Sequence, residues 1–180
     1  MQGFIFVGNG NFMGAKIIVG LMGPGETATP EQNEDAFELG AAIAKQGWIL
    51  LTGGRAFGVM EASMRGASVH HGLTIGILPG DNAQASSPYA QIRIVTGMGS
   101  ARNNINVLTS HVIVVCGMAS GTASEVALAL RANKRIIFLK QDKLTIEFFK
   151  KLGTYRVVAV ESVDEVIEQI NDFISLKQIV

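Results

Sequence analysis

Apolar and polar positions along this chain fall into blocks of strand and helix character. Lys16–Met22 is a near-continuous apolar run, as a central parallel strand requires. It breaks at Gly23-Pro24-Gly25-Glu26. Thr29-Pro30-Glu31-Gln32 has the form of a helix start, with Thr29 as N-cap, Pro30 in the first position and Gln32 closing a capping box. Phe37, Gly40, Ala41 and Ala44 share one face of that helix, and Gly47 stops it. Trp48–Thr52 is a second strand ending in Gly53-Gly54-Arg55, and a helix rich in small residues is predicted from about Val59 to His70. Leu73–Leu78 is a third strand closed by Pro79-Gly80. The polar stretch Asp81–Tyr89 reads as a surface loop, and the alternation in Gln91–Val95 predicts an edge strand.

Gly97-Met98-Gly99-Ser100 leads into a short helix, Ala101–Ser110. The apolar run Val112–Cys116 then stops at Gly117, a loop of small residues follows, and Thr122 opens helical spacing that lasts to about Ala132. Arg135–Leu139 is a sixth strand, Thr145–Leu152 a helix and Val157–Val160 a short strand. Ser162 and Glu165 form a second capping box, which opens a last amphipathic helix to about Leu176. Strands alternating with helices mean an α/β fold, a doubly wound parallel sheet in a single ligand-binding domain over residues 15–180. Residues 1–14, with Gly-Asn-Gly-Asn and a second Met at Met13, stand apart as an extra edge strand, a mobile arm or a cloning remnant.

Composition narrows the function. Apolar residues make up 48% of the 180 and charged residues 17%, which favours a buried sheet and an apolar contact between subunits. Lys plus Arg equals Asp plus Glu, 15 each, so neither nucleic acid nor an anionic membrane is expected as partner. No apolar run approaches the ~20 residues of a membrane span. The first positive charge, Lys16, follows the apolar Phe4–Val7, the wrong order for a signal peptide. The one cysteine, Cys116, rules out an intramolecular disulfide and a cysteine-cluster metal site. A cytoplasmic location fits.

The chemistry concentrates at strand ends. Three loops after strands are glycine-rich: Gly23–Glu26, Gly53–Gly58 and Gly117–Thr122. Ligands of open α/β sheets bind outside the carboxyl ends of strands, and helix N-termini there attract anions. Three such loops together point to a phosphate-bearing or nucleotide-like ligand. The candidate contacts in them are Gly23, Gly25, Gly53, Gly54, Arg55, Ser120, Gly121, Thr122 and Glu125. Gly121 lets a ligand approach the backbone, Thr122 caps the helix and offers a hydroxyl, and Glu125 lies about one turn in. Arg102 beside Ser100 and Asn103 suits phosphate or carboxylate recognition. Gly23-Pro24-Gly25 is not the dinucleotide fingerprint, so NAD is not expected. No lysine sits in a context marking a Schiff base, so neither is PLP. No metal ligand set is predicted. His70 and His71 end a helix, His111 begins a strand away from the site, and Cys116 and the seven Met residues read as packing.

Several blocks carry a family resemblance: Gly23-Pro24-Gly25-Glu26, Thr52-Gly53-Gly54-Arg55 with Gly58-Val59-Met60, Gly76–Gly80, Gly99–Asn106 and Ser120–Leu130. Together they resemble the molybdenum cofactor carrier proteins of algae and cyanobacteria, within the wider lysine-decarboxylase-like or LOG superfamily. The resemblance runs from about Lys16 to Val180 and loosens after Leu139. It implies a Rossmann-like fold, a homo-oligomer (dimer or tetramer), a pocket for the phosphate and pterin of the molybdenum cofactor, and a molybdoenzyme as recipient. LOG enzymes instead hydrolyse the N-glycosidic bond of cytokinin riboside monophosphates, and their catalytic Arg and Glu match Arg102 and Glu125. Where those enzymes have Pro-Gly-Gly before Gly-Thr, this chain has Cys116-Gly117-Met118-Ala119-Ser120, and where their Arg has a basic neighbour it has Asn103. The resemblance therefore implies a binding protein first and a phosphoribohydrolase second.

Overall fold

The computed structural model describes residues 16–153 and 155–177; the segment 1–14 lies outside the described residues. Seven strands form one all-parallel sheet: β1 (Ile18–Met22), β2 (Ile49–Thr52), β3 (Thr74–Leu78), β4 (Ile92–Val95), β5 (Val112–Cys116), β6 (Arg135–Leu139) and β7 (Val157–Val160). Their order across the sheet is β4-β3-β2-β1-β5-β6-β7. The chain winds outward from β1 to β4, then returns to the other side of β1 with β5. The two halves part between β1 and β5, in the register Val19 to Val112 through Met22 to Val115. A doubly wound sheet opens its ligand crevice at such a switch point.

Helices α1 (Pro30–Lys45), α2 (Gly58–Val69) and α6 (Val163–Lys177) cover one face, and α3 (Asn103–Thr109), α4 (Ser120–Arg131) and α5 (Lys143–Gly153) the other. Side chains of a strand alternate between faces, so β5 feeds two cores. Val112, Val114 and Cys116 join Leu39, Ile43 and Met64. Ile113 and Val115 join Val126, Phe138 and Phe149. All five β5 residues are buried, which is why its sequence is an unbroken apolar run. Among the described residues no helix is long and apolar enough to cross a membrane.

The predicted capping boxes form, with one change. Thr29 Oγ1 accepts from the Gln32 amide while Gln32 Oε1 accepts from the Thr29 amide. At α6, Ser162 Oγ accepts from the Glu165 amide, but Glu165 Oε2 reaches one residue further back, to the Glu161 amide. The start of α3 and the exposure of β4 differ from the sequence pattern. The stretch read as one helix from Ala101 is a 3-10 turn, Gly99–Arg102, running into α3. The alternation of β4 normally signals one covered face, yet all four of its residues are exposed. No helix crosses between β3 and β4; residues 79–91 are a loop, so that end of the sheet is uncovered.

Candidate functional site

The loop after β1 is pinned from both sides. A Cβ on Gly23 would run into the Cys116 carbonyl oxygen and the Val59 side chain. A side chain on Gly58, whose φ is +53°, would strike the Gly25 carbonyl oxygen, and the Val59 amide donates to Pro24 O at 3.0 Å. The Gly23–Gly25 turn is thereby wedged between the end of β5 and the start of α2. Opposite it stands the N-terminus of α4. Its N-cap is Ala119, which brings no side-chain acceptor to the first turn. Unpartnered first-turn amides carry the positive end of the helix dipole. A cavity of about 190 Å³ lies between these walls, lined by Gly23, Pro24, Gly25, Gly53, Arg55, Arg102, Asn103, Ala119, Gly121, Thr122 and Glu125, with Leu21, Met22 and Met60 completing it.

Arg102 is 9% exposed and Glu125 6%. Arg102 Nη1 lies 3.8 Å from Glu125 Oε1, too far for a hydrogen bond, and this buried nitrogen has no hydrogen-bond partner among the described residues. Burial pulls the Arg102 guanidinium below its ordinary value; Glu125 opposes that shift and nearby Arg55 adds to it. Burial likewise pushes the Glu125 carboxyl up, against a hydrogen bond from Asn106 and the attraction of Arg102. Asn106 Nδ2 donates to Glu125 Oε1 at 2.7 Å. The Arg55 guanidinium stands 5.6 Å over the Phe57 ring, and its Nε is buried without a partner among the described residues. Two guanidinium groups thus converge on one cavity whose single carboxylate is held toward neutrality, an arrangement that favours an anion.

Nine of the sequence-predicted residues line this cavity: Gly23, Gly25, Gly53, Arg55, Arg102, Asn103, Gly121, Thr122 and Glu125. Three do not. Gly54 has φ +76° and packs on Gly76 of β3, with its amide donated to Thr52 Oγ1; it shapes the turn. Ser100 is exposed in the 3-10 turn that carries Arg102 inward. Ser120 is the exposed first residue of α4. Thr122 does not cap α4, because the helix begins two residues earlier and places Thr122, 2% exposed, against the cavity. Asn103 has a bracing role besides: its Nδ2 donates to Ser124 Oγ at 2.8 Å and Gly121 O at 3.4 Å, tying α3 to the first turn of α4.

Sequence reasoning passed over Asn106, which is fully buried behind Glu125. The signal was its spacing: Arg102 and Asn106 are four apart, one helical turn, and so share a face. Met22 and Met60, read as core filler, also form part of the cavity wall. His111 is structural as expected, its Nδ1 accepting from the Ile18 amide at 3.0 Å. Cys116 is buried at the end of β5 with its thiol pushed up to about 12, chiefly by burial and next by Asp35. Among the described residues no group of three or more His, Cys, Asp or Glu is placed to hold a metal ion.

The family model of the SLOG cluster4 family matches residues 16–167. The structure of the molybdenum cofactor binding protein from the phototrophic bacterium Rippkaea orientalis superposes with a TM-score of 0.87 at 51% sequence identity, covering 88% of this chain and 98% of that one. The molybdenum cofactor carrier protein of Chlamydomonas reinhardtii superposes with a TM-score of 0.85 at 45% identity, covering 89% and 99%. An uncharacterised protein of Archaeoglobus fulgidus is 42% identical over 122 residues, 68% of this chain and 79% of its own length.

Proposed function

We propose that this chain, which belongs to the SLOG cluster4 family, binds and carries the molybdenum cofactor; its relative from Rippkaea orientalis is described as a molybdenum cofactor binding protein and that from Chlamydomonas reinhardtii as a molybdenum cofactor carrier protein. The observation that carries the site assignment is the buried Arg102 guanidinium, which lines the cavity and has one nitrogen, Nη1, without a hydrogen-bond partner among the described residues. A terminal phosphate supplies the missing acceptor. Arg102 grips it through charge-assisted hydrogen bonds, and the uncapped first turn of α4, at Gly121 and Thr122, adds backbone amides. A Cβ built on Gly121 meets no atom of another described element within 4 Å, so packing does not require a glycine there and an approaching ligand can use the space.

The enclosed volume of about 190 Å³ is below the ~300–1,000 Å³ of clefts that bury a drug-sized ligand. The cavity is therefore of a size for the phosphate end, and Gly25, Arg55 and Met60, which also line it, are the residues that would meet the pterin. Arg55, with its buried unpartnered Nε, meets an acceptor on that part. Exposed Ile92, Ile94, Val95 and Met98, and the stripe Leu144, Phe148 and Leu152 along α5, support a homo-oligomer, a dimer or tetramer. The reducing cytoplasm suits both Cys116 and an oxidisable pterin dithiolene, with a molybdoenzyme as recipient.

One observation favours a phosphoribohydrolase as second reading. A buried carboxylate raised from its ordinary value beside an Arg, in a cleft, is an arrangement general acids and bases use. The assay that separates the two measures base release from a panel of nucleoside monophosphates together with binding of the molybdenum cofactor. We expect cofactor binding and no base release. Robust hydrolysis that Glu125→Gln abolishes overturns the carrier reading.

A further inference from the structure

The cavity's charges do not balance around a bound dianion unless one of them changes. Among the described residues Arg55, Arg102 and Glu125 are the three ionisable side chains that line it, and the other lining residues are neutral. An ionised Glu125 beside a dianion places like charges in a desolvated site, which is costly. A protonated Glu125 leaves two guanidinium charges to face two negative ones. We propose, resting on the reading of this cavity as an anion site, that ligand binding takes up a proton at Glu125 and that Asn106 is the positioning residue that accommodates both of its protonation states.

The geometry around Glu125 is built for this exchange. Asn106 is fully buried, and its Nδ2 donates to Oε1 at 2.7 Å, a bond that serves the ionised carboxylate. Asn106 Oδ1 is also buried and has no partner among the described residues. Turning the amide over brings that acceptor against Oε1, where only a protonated carboxyl can satisfy it. Asn106 thus offers a donor to the charged form and an acceptor to the neutral one, and the unused half is already inside the protein. Arg102, from the 3-10 turn, is the charged group against Glu125, at a distance that leaves the carboxylate unclamped. Arg55, from the loop after β2, acts through its repulsion of Arg102. Burial favours the protonated form, and the Asn106 hydrogen bond and Arg102 oppose it, in that order of strength. A second negative charge in the cavity adds to the side of burial.

Inorganic sulfate is the probe, because it stays doubly charged from about pH 5.5 to 8.5 and so separates protonation of the protein from protonation of the ligand. For a single linked proton, sulfate affinity falls by up to ~10-fold per pH unit above the value of Glu125 in the free protein. Calorimetry in two buffers of different ionisation enthalpy should read up to about one proton taken up per sulfate in that range. Glu125→Gln should flatten the pH profile. Asn106→Ala removes the partner of both forms; the hydrogen bond to the ionised carboxylate is the stronger of the two, so the variant should move the fall in affinity to higher pH. Should either variant fail to fold, the calorimetry on the unaltered chain decides. Sulfate binding that is independent of pH, with no proton uptake, overturns the coupling and leaves the anion site standing. Absence of sulfate binding even at about pH 5.5 overturns the anion-site reading and the coupling with it.

Discussion

Gly53 and Arg102 are in mutual contact: a Cβ on Gly53 would lie 2.5 Å from Arg102 Nη2 and 2.6 Å from Nη1. The guanidinium occupies the space that any other residue at position 53 would fill. Gly53 at the end of β2 and Arg102 in the turn before α3 are 49 positions apart in sequence, so the glycine of one loop sets where the cation of another can sit. Met60 adds to the constraint, with its sulfur 2.7 Å from the same point.

Gly53→Ala should therefore displace Arg102 while the sheet stays intact. Overpacking of this kind costs on the order of 1–3 kcal/mol, and the flexible Arg side chain is the group most free to yield. The expected outcome is a folded protein, by circular dichroism, whose affinity for the cofactor or for a phosphate probe falls at least ~10-fold, since a charged hydrogen bond is worth ~1.5–3 kcal/mol. Unchanged affinity in the folded variant would show that Arg102 is not the anion's main contact.

Gly121 gives the complementary test. Its added Cβ meets no atom of another described element within 4 Å, and alanine is the better helix former. Gly121→Ala should leave the melting temperature equal or slightly higher. Binding should weaken, because the new methyl group projects into the space where a ligand would approach the α4 amides. A variant that loses stability and keeps binding would assign Gly121 to packing.

Cys116 separates packing from chemistry at the same end of β5. The thiol is 1% exposed, and burial pushes it up to about 12, so it is a neutral thiol at pH 8. Disulfide exchange needs the thiolate and access to it. Reaction with a colorimetric aromatic disulfide at pH 8 should be negligible in the native protein and fast in denaturant. Rapid labelling of the native chain would show that β5 and the adjoining turn open readily.

How far the sequence disclosed this site depends on the kind of signal each residue gives. Strand ends were legible, because apolar runs such as Val112–Cys116 stop where the buried backbone gives way to a turn. The three glycine loops then fell at one sheet edge, since all seven strands are parallel. Arg102 was legible beside a glycine-rich turn. Ser100 was not separable from it, because a 3-10 turn sends near neighbours in different directions and the pattern of small polar residues does not say which way. The start of α4 was placed two residues late for a related reason. Ala119 has no capping side chain, so Thr122 looked like the first capping residue. The missing cap is itself what leaves the first-turn amides open to a ligand. Asn106 gave only its spacing from Arg102; its role depends on Glu125 arriving from another helix 19 positions later, and no local pattern encodes that meeting.

The buried carboxyl at Glu125 also makes a prediction about stability, independent of any ligand. Burial raises it from its ordinary value of 4.5. Between that value and the raised one, the folded state binds more protons at this position than the unfolded state does. Stability from this group is then fully present below about pH 4.5 and is lost as pH rises through the folded value. Glu125→Gln removes the titration and also deprives Arg102 of a counter-charge, so the absolute effect at one pH mixes two contributions of opposite sign. The change with pH does not. Denaturant titrations from about pH 4.5 to 8 should show the variant gaining stability relative to the unaltered chain as pH rises. A difference that stays constant across that range would show that Glu125 titrates alike in the folded and unfolded states and would overturn its raised value.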